Sequence, residues 1–595
     1  NSWLLPPPFV KLFPAFGTMS ACQVTDLPMN TSAITIIVIF LTMLFLITTS
    51  IVDARRAKKA IRNRIKESWG KEPEAEYKNE DLESIASYFS NRRKKSASSF
   101  TIDDTTWRDL EMDDVFMRLN STATTAGEET LYRLLREPSF DVEVLKARQR
   151  LIDFFRTNHA ERVTIQLILA KLGKRRLINV TNYFYQPACL RPWKSRSYKI
   201  LSAAALMSPL FLFLNAGLGA LLIILSFMTN MIVYYNMRFE IASDLGALGY
   251  IVRLVQCVRR LIDADLVGLG QLKHRLESKY RKVSKIGERG FYLFFAGTGS
   301  LTDLAGEYLK IILLKELIDY EYLRNAAVEH RDELIEVYDT VGLIDSLISV
   351  ASYRASLPLY CVPNLDKCAP DSRKHLDFED IYHPLIKNAV PNSLVIDQSV
   401  LVTGSNASGK STLLRTVAIN AILAQSICTC LARSYSSSMF AVFTSMALRD
   451  STRDGESYFI AEIKSIKRIL DYLNDAVPCL CLIDEVLRGT NTVERIAASS
   501  EVLLHLARQN CTCIAATHDI ELTFILENCY RNVHFQEAIT DDGIVFDYKQ
   551  RDGRATSRNA IRLLQLMGYG AAIVEEAEKR ASNFVSQGSW KQIRG

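Results

Sequence analysis

Gly404-Ser405-Asn406-Ala407-Ser408-Gly409-Lys410-Ser411 follows the apolar run Val400-Leu401-Val402 and precedes Thr412-Leu413-Leu414-Arg415-Thr416-Val417-Ala418. The eight residues satisfy G-x-x-x-x-G-K-[ST]. Strand, glycine-rich loop and helix, in that order, let backbone N–H groups at a helix N-terminus cradle phosphate. Gly404 to Thr412 are therefore expected to bind nucleotide, with Lys410 reaching the β/γ-phosphates and the Ser411 hydroxyl meeting Mg²⁺. Further on, Cys479-Leu480-Cys481-Leu482-Ile483-Asp484-Glu485 reads as a buried strand ending in two carboxylates. Asp484 is placed to support the metal and Glu485 to polarise an attacking water. The two elements, in this order and context, imply ATP and Mg²⁺ as ligands and hydrolysis as the chemistry. They also imply a C-terminal α/β P-loop domain with a doubly wound, mostly parallel sheet.

The chain has 595 residues, room for roughly three to five domains. Its net charge of +6, from 72 basic and 66 acidic residues, permits an acidic partner such as nucleic acid or anionic lipid without demanding one. Among the twelve cysteines, Cys428/Cys430, Cys479/Cys481 and Cys511/Cys513 are spaced C-x-C. On a strand that spacing puts both thiols on one face, so metal binding is one reading. Small apolar residues on buried strands of a reducing compartment is the favoured one, since no CxxC pair or Cys/His zinc spacing accompanies them.

Two segments are too apolar for an ordinary soluble surface. Ala33–Val52 is a run of 20 uncharged residues, long enough to span a bilayer of about 30 Å. Seven Lys/Arg residues follow between Arg55 and Lys66, which places the downstream chain in the cytoplasm. Ile200–Met237 is a second uncharged stretch, of 38 residues, broken by Asn215-Ala216-Gly217-Leu218-Gly219. Two short membrane helices joined by a tight turn are expected there, with both ends cytoplasmic beside Lys194, Arg196, Lys199 and Arg238. A buried helical hairpin in a soluble body is the rival reading.

The remaining divisions follow from composition. Residues 1–30 read as an N-terminal extension, the Pro-rich first 18 lying upstream of Met19 as the natural start. A transmembrane helix is expected over 31–53 and a basic linker over 54–102, ending in Asn91-Arg92-Arg93-Lys94-Lys95 and a Ser-rich stretch. Residues 103–375 show helical spacing, as in Leu131, Leu134 and Leu135, then Ile241, Leu245, Leu248 and Val252 beyond the hairpin. From 376 to 582, β-type runs alternate with helical ones, and 583–595 form a tail.

Several further motifs carry a resemblance. His383-Pro384 and Val390-Pro391-Asn392 precede the loop. Asp454-Gly455-Glu456-Ser457-Tyr458-Phe459-Ile460-Ala461-Glu462 lies between the two phosphate elements. Asp484-Glu485-Val486-Leu487-Arg488-Gly489-Thr490-Asn491-Thr492 and Ala516-Thr517-His518 come after it. In these residues the chain resembles the MutS family of DNA mismatch-repair ATPases, strongly over 380–582 and more weakly over 103–198 and 236–379. The resemblance implies a homodimer in which Ser457 reaches the partner's γ-phosphate. It implies that His518 senses the γ-phosphate or orients water, that residues 103–375 form a core and lever region, and that double-stranded DNA, mismatched DNA included, is bound. The segment 557–581 resembles the closing helices through which subunits pair.

The chain also departs from the family pattern. The aromatic residue that stacks on adenine in many relatives falls at Ala389. No FxE wedge precedes Asp103, which argues against mismatch reading, and the expected membrane hairpin interrupts the region that carries lever and clamp. Protein partners beyond a second copy are not legible. An ABC-related membrane ATPase, or a membrane-bound nucleotide switch acting without DNA, is the alternative; no LSGGQ-type signature supports the former.

Overall fold

The computed structural model describes residues 31–73, 76–94, 100–175, 180–185, 192–294, 308–309, 311–366, 374–405, 408–446, 458–473, 477–540, 543–555, 561, 564–565, 567–590 and 592. By compactness the chain divides into two units, Asn1–Ile61 and Arg62–Gly595. In the first unit the described residues belong to the opening part of a helix, Thr31–Ser68. The expected span Ala33–Val52 lies inside it, and Phe40, Leu41, Leu44 and Phe45 are exposed. Among the described residues, one stretch is long and apolar enough to cross a membrane, Ala216–Arg238.

The larger unit opens with helices. Asn79–Arg93, inside the stretch expected to be a basic linker, is a helix with Ile85, Tyr88 and Phe89 buried. The charged stretch from Arg55 to Lys95 is expected to be helical in part; Leu82, Ile85 and Phe89 give this helix an apolar stripe at 3/4 spacing, despite the charge that flanks it. Thr125–Arg136 and Arg331–Ser356 form the centre of the helical body. They meet at two glycines. A Cβ on Gly342 would lie 2.1 Å from Thr130 Oγ1, and one on Gly127 would lie 2.2 Å from Asp345 Oδ2. The close approach lets buried Asp345 accept from the backbone N–H of Ala123 (3.1 Å) and Thr124 (2.8 Å) and from the Thr124 hydroxyl (2.6 Å). One helix thereby satisfies orphan donors at the start of the other.

The hairpin exists, with a correction to its second arm. Pro192–Met207 continues as a 3₁₀ turn, Ser208–Phe213, and the chain reverses at Leu214-Asn215. The second arm does not end at Met237. It runs as one helix from Ala216 to Asp263, because no Pro interrupts the sequence where polar residues return and a helix interior tolerates Gly246 and Gly249.

Ten strands follow: β1 (Asn364–Asp366), β2 (Leu376–Ile381), β3 (Asn392–Ile396), β4 (Ser399–Thr403), β5 (Ser434–Ser438), β6 (Ala441–Ser445), β7 (Cys479–Asp484), β8 (Cys511–Ala516), β9 (Tyr530–Thr540) and β10 (Gly543–Asp552). They form a four-stranded sheet, β1-β5-β2-β3, and a six-stranded one, β10-β9-β4-β8-β7-β6. In the larger sheet β6, β7, β8, β4 and β9 pair in parallel, and β10 closes the edge antiparallel to β9.

Alternation along the strands explains why both faces are covered. Val400, Val402, Leu480, Leu482, Ile514 and Ala516 join the core with Leu413, Leu414 and Val417 of the helix Lys410–Ile427. Leu401, Cys479, Cys481, Ile483, Cys511, Cys513 and Ala515 face the other way, onto Ile466, Ile469, Leu503 and Leu506 of the helices Tyr458–Tyr472 and Thr492–Arg508. The strand cysteines are thus buried among apolar side chains.

Candidate phosphate and nucleotide site

Parallel pairing sets the site at one edge of the sheet. Val402 is in register with Ala516, and Ala516 with Asp484, so β4, β8 and β7 end level. Two further hydrogen bonds carry the ladder into the loops: Thr517 N–H donates to Val402 O at 3.0 Å, and Glu485 N–H donates to Ala516 O at 2.9 Å. The carboxyl edge of a parallel sheet is where such folds hold ligands.

The glycine-rich loop leaves β4 at Gly404, with φ +145°, and enters its helix at Gly409, with φ +112°. Both values favour glycine. A Cβ on Gly404 would lie 2.8 Å from Phe535 O, so β9 also presses on the loop. Asn406 and Ala407 lie outside the described residues. Ser405 Oγ donates to Glu537 Oε2 at 2.9 Å, and Ser411 and Thr412 are exposed on the first helical turn.

Lys410 is almost fully buried. Its Nζ donates to Gly404 O (2.7 Å) and Ser405 O (2.8 Å) and lies 3.4 Å from His518 Nε2. Burial pushes its pKa down, against the opposing pull of Asp484, Glu485 and Glu537. His518 Nε2 is 3.0 Å from Glu485 Oε1, the geometry of an N–H donated to a carboxylate. Arg488 also pairs with Glu485. Burial alone would raise the Glu485 carboxyl; the His518 hydrogen bond, with the charges of Arg488 and Lys410, holds it below the ordinary carboxylate range. Glu485 sits at φ +63° and Leu487 at φ +58°, so the turn after β7 is held in a conformation that non-glycine residues adopt at a cost.

The structure therefore brings Lys410, Asp484, Glu485 and His518 to one edge. Ser457 lies outside the described residues. The helix that follows it is placed: Phe459 packs on Gly489, where a Cβ would be 3.0 Å from Phe459 Cβ. Glu462, buried in the same helix, accepts from Arg488 N–H at 3.1 Å, and burial raises its carboxyl. The helix Tyr458–Tyr472 is thus tied to the loop carrying the candidate base.

His383 and Asn392 support the site at a distance. Burial, with Arg415 nearby, pushes His383 down to about 4, so its neutral ring accepts from Leu385 N–H at 3.2 Å. Asn392 donates to Tyr548 O (3.0 Å) and accepts from Gln550 N–H (2.8 Å), bracing an irregularity in β10. Tyr548, at φ +54°, comes within 3.4 Å of where a Gly409 Cβ would stand. Sequence reasoning missed Tyr548 and Glu537, because both reach the loop through strand pairing rather than spacing.

Two observations test whether the residues fit a nucleotide and a cation. Buried Ser408 Oγ, within the loop, has no hydrogen-bond partner among the described residues. Buried polar atoms are rarely left so, and a phosphate oxygen is a matching partner. The Ser411 hydroxyl and the Asp484 carboxylate are hard oxygen donors, suited to Mg²⁺.

Comparison with known proteins agrees with this site. Residues 400–585 match the family described as MutS domain V. The chain is similar to DNA mismatch repair protein MutS of Streptococcus sanguinis, 27% identical over 53% of this chain and 38% of that protein. The MutS proteins of Petrotoga mobilis and Aquifex pyrophilus are 32% and 30% identical, over 33% and 44% of this chain and 25% and 31% of their own lengths. The chain thus spans well under half of the curated relatives it matches. With the phosphate loop, the Glu485 turn and the His518 strand end all inside the matched region, residues 400–585 of this chain belong to the family of MutS domain V.

Proposed function

We propose that this chain is an ATP-binding and ATP-hydrolysing protein of MutS type that acts as a homodimer anchored to a membrane. The observation that carries the reading is the convergence of Lys410, Glu485 and His518 within hydrogen-bonding distance at the carboxyl edge of the sheet. Lys410 would face the β/γ-phosphates, and the loop from Gly404 to Thr412 would supply backbone donors and the Ser408 hydroxyl. Ser411 and Asp484 would hold Mg²⁺, which when bound neutralises charge on phosphate oxygens. Glu485 Oε1 orients and receives a proton from water, and the His518 N–H keeps that carboxylate ionised and aimed. Tyr548 offers an aromatic face beside Gly409 in place of the stacking residue that Ala389 lacks.

Ser457 would act on the partner subunit's nucleotide, as the resemblance implies. Exposed Met567, Tyr569, Ile573 and Trp590 around the helix Ala571–Gln587 support pairing through the C-terminal segment. Duplex DNA as a ligand rests on the similarity to MutS proteins. The membrane reading rests on Ala33–Val52 and on the exposed apolar hairpin, with the ATPase side cytoplasmic. The hairpin stands in the region expected to carry lever and clamp, so lever motion would act on a membrane-embedded element.

Mg²⁺-dependent hydrolysis of ATP by the purified full chain, measured with salt-dependent binding to duplex DNA, tests these clauses separately. Absence of hydrolysis refutes the enzymatic reading, and absence of salt-dependent binding refutes the DNA one.

A further inference from the structure

The hairpin has a tip, two arms and a foot, and each differs chemically. No charged residue lies between Lys199 and Arg238. At the tip Phe213 is 89% exposed and Leu214 81%. Along the arms Leu206, Leu210, Leu218, Leu221, Ile224 and Leu225 are exposed. The arms touch at Gly219, where a Cβ would lie 2.5 Å from Leu212 N. Several polar groups of the hairpin are bonded within it. Asn215 Oδ1 accepts from the N–H groups of Gly217 (3.0 Å) and Leu218 (3.1 Å), and the Ser226 and Thr229 hydroxyls donate to Ile223 O (3.0 Å) and Leu225 O (2.8 Å). Hydrocarbon requires such internal pairing, and water does not.

The foot is different. Exposed Trp193 and Tyr235 stand there, the residue types that settle at a membrane–water interface. On the inner side Asn230 Nδ2 donates to Ile312 O (2.9 Å) and the Tyr234 hydroxyl to Glu316 (2.7 Å), so protein covers that side of the arm. Beside them is a cleft of ≈ 350 Å³ whose lining includes Lys199, Lys282, Lys285, Arg289, Asp319 and Glu329. Its charged lining is four cations against two carboxylates. Lys282 is also held by Glu333 at 2.7 Å, and the Arg289 guanidinium lies over the Tyr322 ring at 4.1 Å. Lys199 is the last charge before exposed Ile200, so the basic cleft adjoins the apolar surface.

The second arm is long enough to cross, but from Ile200, where the charge ends, to Leu214 the first arm rises only about 24 Å, at 1.5 Å per residue in its α-helical part and 2.0 Å in its 3₁₀ part. That is less than the roughly 30 Å of hydrocarbon a full crossing must traverse. A tip of Phe213 and Leu214 is also unsuited to emerging in water on the far side. We propose that the hairpin is re-entrant: it enters and leaves by the same face, ends within the hydrocarbon, and holds an anionic phospholipid headgroup in the cleft at its foot. The inference rests on the membrane reading above and adds depth and lipid class to it. A headgroup in this cleft would have its acyl chains beside Ile200 and Leu206, which favours a lipid over a free anion.

Depth is read on the full chain carrying Phe213→Trp, reconstituted in phosphatidylcholine vesicles containing phosphatidic acid. The fluorescence added over the parent should be quenched most by lipids brominated near the acyl-chain ends and little by aqueous iodide. Strongest quenching by lipids brominated near the glycerol, or by iodide, overturns the re-entrant placement. The cleft is read in neutral-detergent micelles by titrating dioctanoyl phosphatidic acid, dioctanoyl phosphatidylcholine and inorganic phosphate. Phosphatidic acid should bind selectively, and the pair Lys285→Gln/Arg289→Gln should weaken it by about twentyfold. Exposed Lys199→Gln, which threatens no packing, should weaken it by about fivefold. Unchanged affinity in these variants, or inorganic phosphate competing as well as the lipid, overturns the headgroup site. A chain that floats with no vesicle refutes the membrane reading itself; one that floats while the introduced indole stays open to water refutes the re-entrant hairpin alone.

Discussion

Arg354, fully buried in the helical body, donates to the carbonyl oxygen of Cys428 at 2.5 Å, at the C-terminal end of the helix that starts at Lys410. The same guanidinium reaches Thr429 Oγ1 (2.9 Å) and Gln149 Oε1 (2.7 Å), while Arg148 donates to Ser426 O (2.7 Å). Two cations thus cap a helix whose other end is the phosphate loop, where cation and macrodipole agree in sign. The helix is a rod joining loop and helical body. Arg354→Met would leave buried carbonyls unpaired and should lower stability by about 2–4 kcal/mol, read as an earlier thermal midpoint. Arg354→Lys should not restore it, since an ammonium cannot span the same acceptors. A midpoint unchanged in both variants would show that the cap contributes nothing.

In the proposed function the chemistry divides between Lys410 and Glu485. Lys410→Ala should abolish tight nucleotide binding. Glu485→Gln should keep binding and slow turnover by about 10²–10⁴-fold, because orienting water and holding phosphate use different groups. Since the Glu485 carboxyl is held below its ordinary range, the acid limb of kcat/KM should fall below the usual carboxylate pKa. His518→Ala removes the hydrogen bond and should move that limb upward. Hydrolysis at the parent rate by the Glu485 variant would remove it as the base.

The loop, the Glu485 strand and the His518 strand were legible because each is a short apolar run ended by a glycine, a carboxylate or a Thr-His pair, a local pattern. The hairpin turn was legible for the same reason, at Asn215-Ala216-Gly217. What escaped is non-local. Nothing in Ser434-Tyr435-Ser436-Ser437-Ser438 reads as a strand, yet it pairs with β1 and β2 through its backbone. Long-range pairing also brings Glu537 and Tyr548 to the loop, and the long second arm hid its continuity behind a change from uniform to amphipathic hydrophobicity. Within 54–102 the charge obscured a core-facing stripe.

Tyr548 lies against Gly409, and if it supplies the aromatic face for the base, Tyr548→Ala should weaken nucleotide binding by about 1–3 kcal/mol. The maximal rate should change little, since the ring is remote from Glu485 in sequence and role. Tyr548→Phe should bind like the parent. A selective loss of kcat instead would assign the residue to loop geometry rather than base recognition.

Asp345 gives a pH signature in the helical body. Burial pushes its carboxyl up to about 6, against the donors from Thr124 and Ala123. The folded value exceeds the unfolded one, so folding takes up a proton between them. The stabilisation is full below about pH 4 and lost as pH rises through 6. Asp345→Asn cannot titrate, so its thermal midpoint relative to the parent should rise between pH 5 and pH 7, by about 1 kcal/mol equivalent. A difference that does not vary with pH would show that Asp345 stays ionised in the fold.

Phe459 packed on Gly489 and Glu462 bonded to Arg488 N–H couple the helix Tyr458–Tyr472, which Ser457 precedes in sequence, to the turn bearing Glu485. If Ser457 acts on a partner's nucleotide, each composite site takes its loop from one subunit and its serine from the other. Ser457→Ala and Lys410→Ala chains are then each inactive as homodimers for different reasons. A mixed dimer holds one site with both defects and one with neither, so hydrolysis per mixed dimer should recover to about half that of the parent. Dimers are isolated with two affinity tags, and the recovered rate is compared with either variant alone. If Ser457 acted within its own subunit, every site in the mixed dimer would carry one defect and hydrolysis would stay at the background of the single variants.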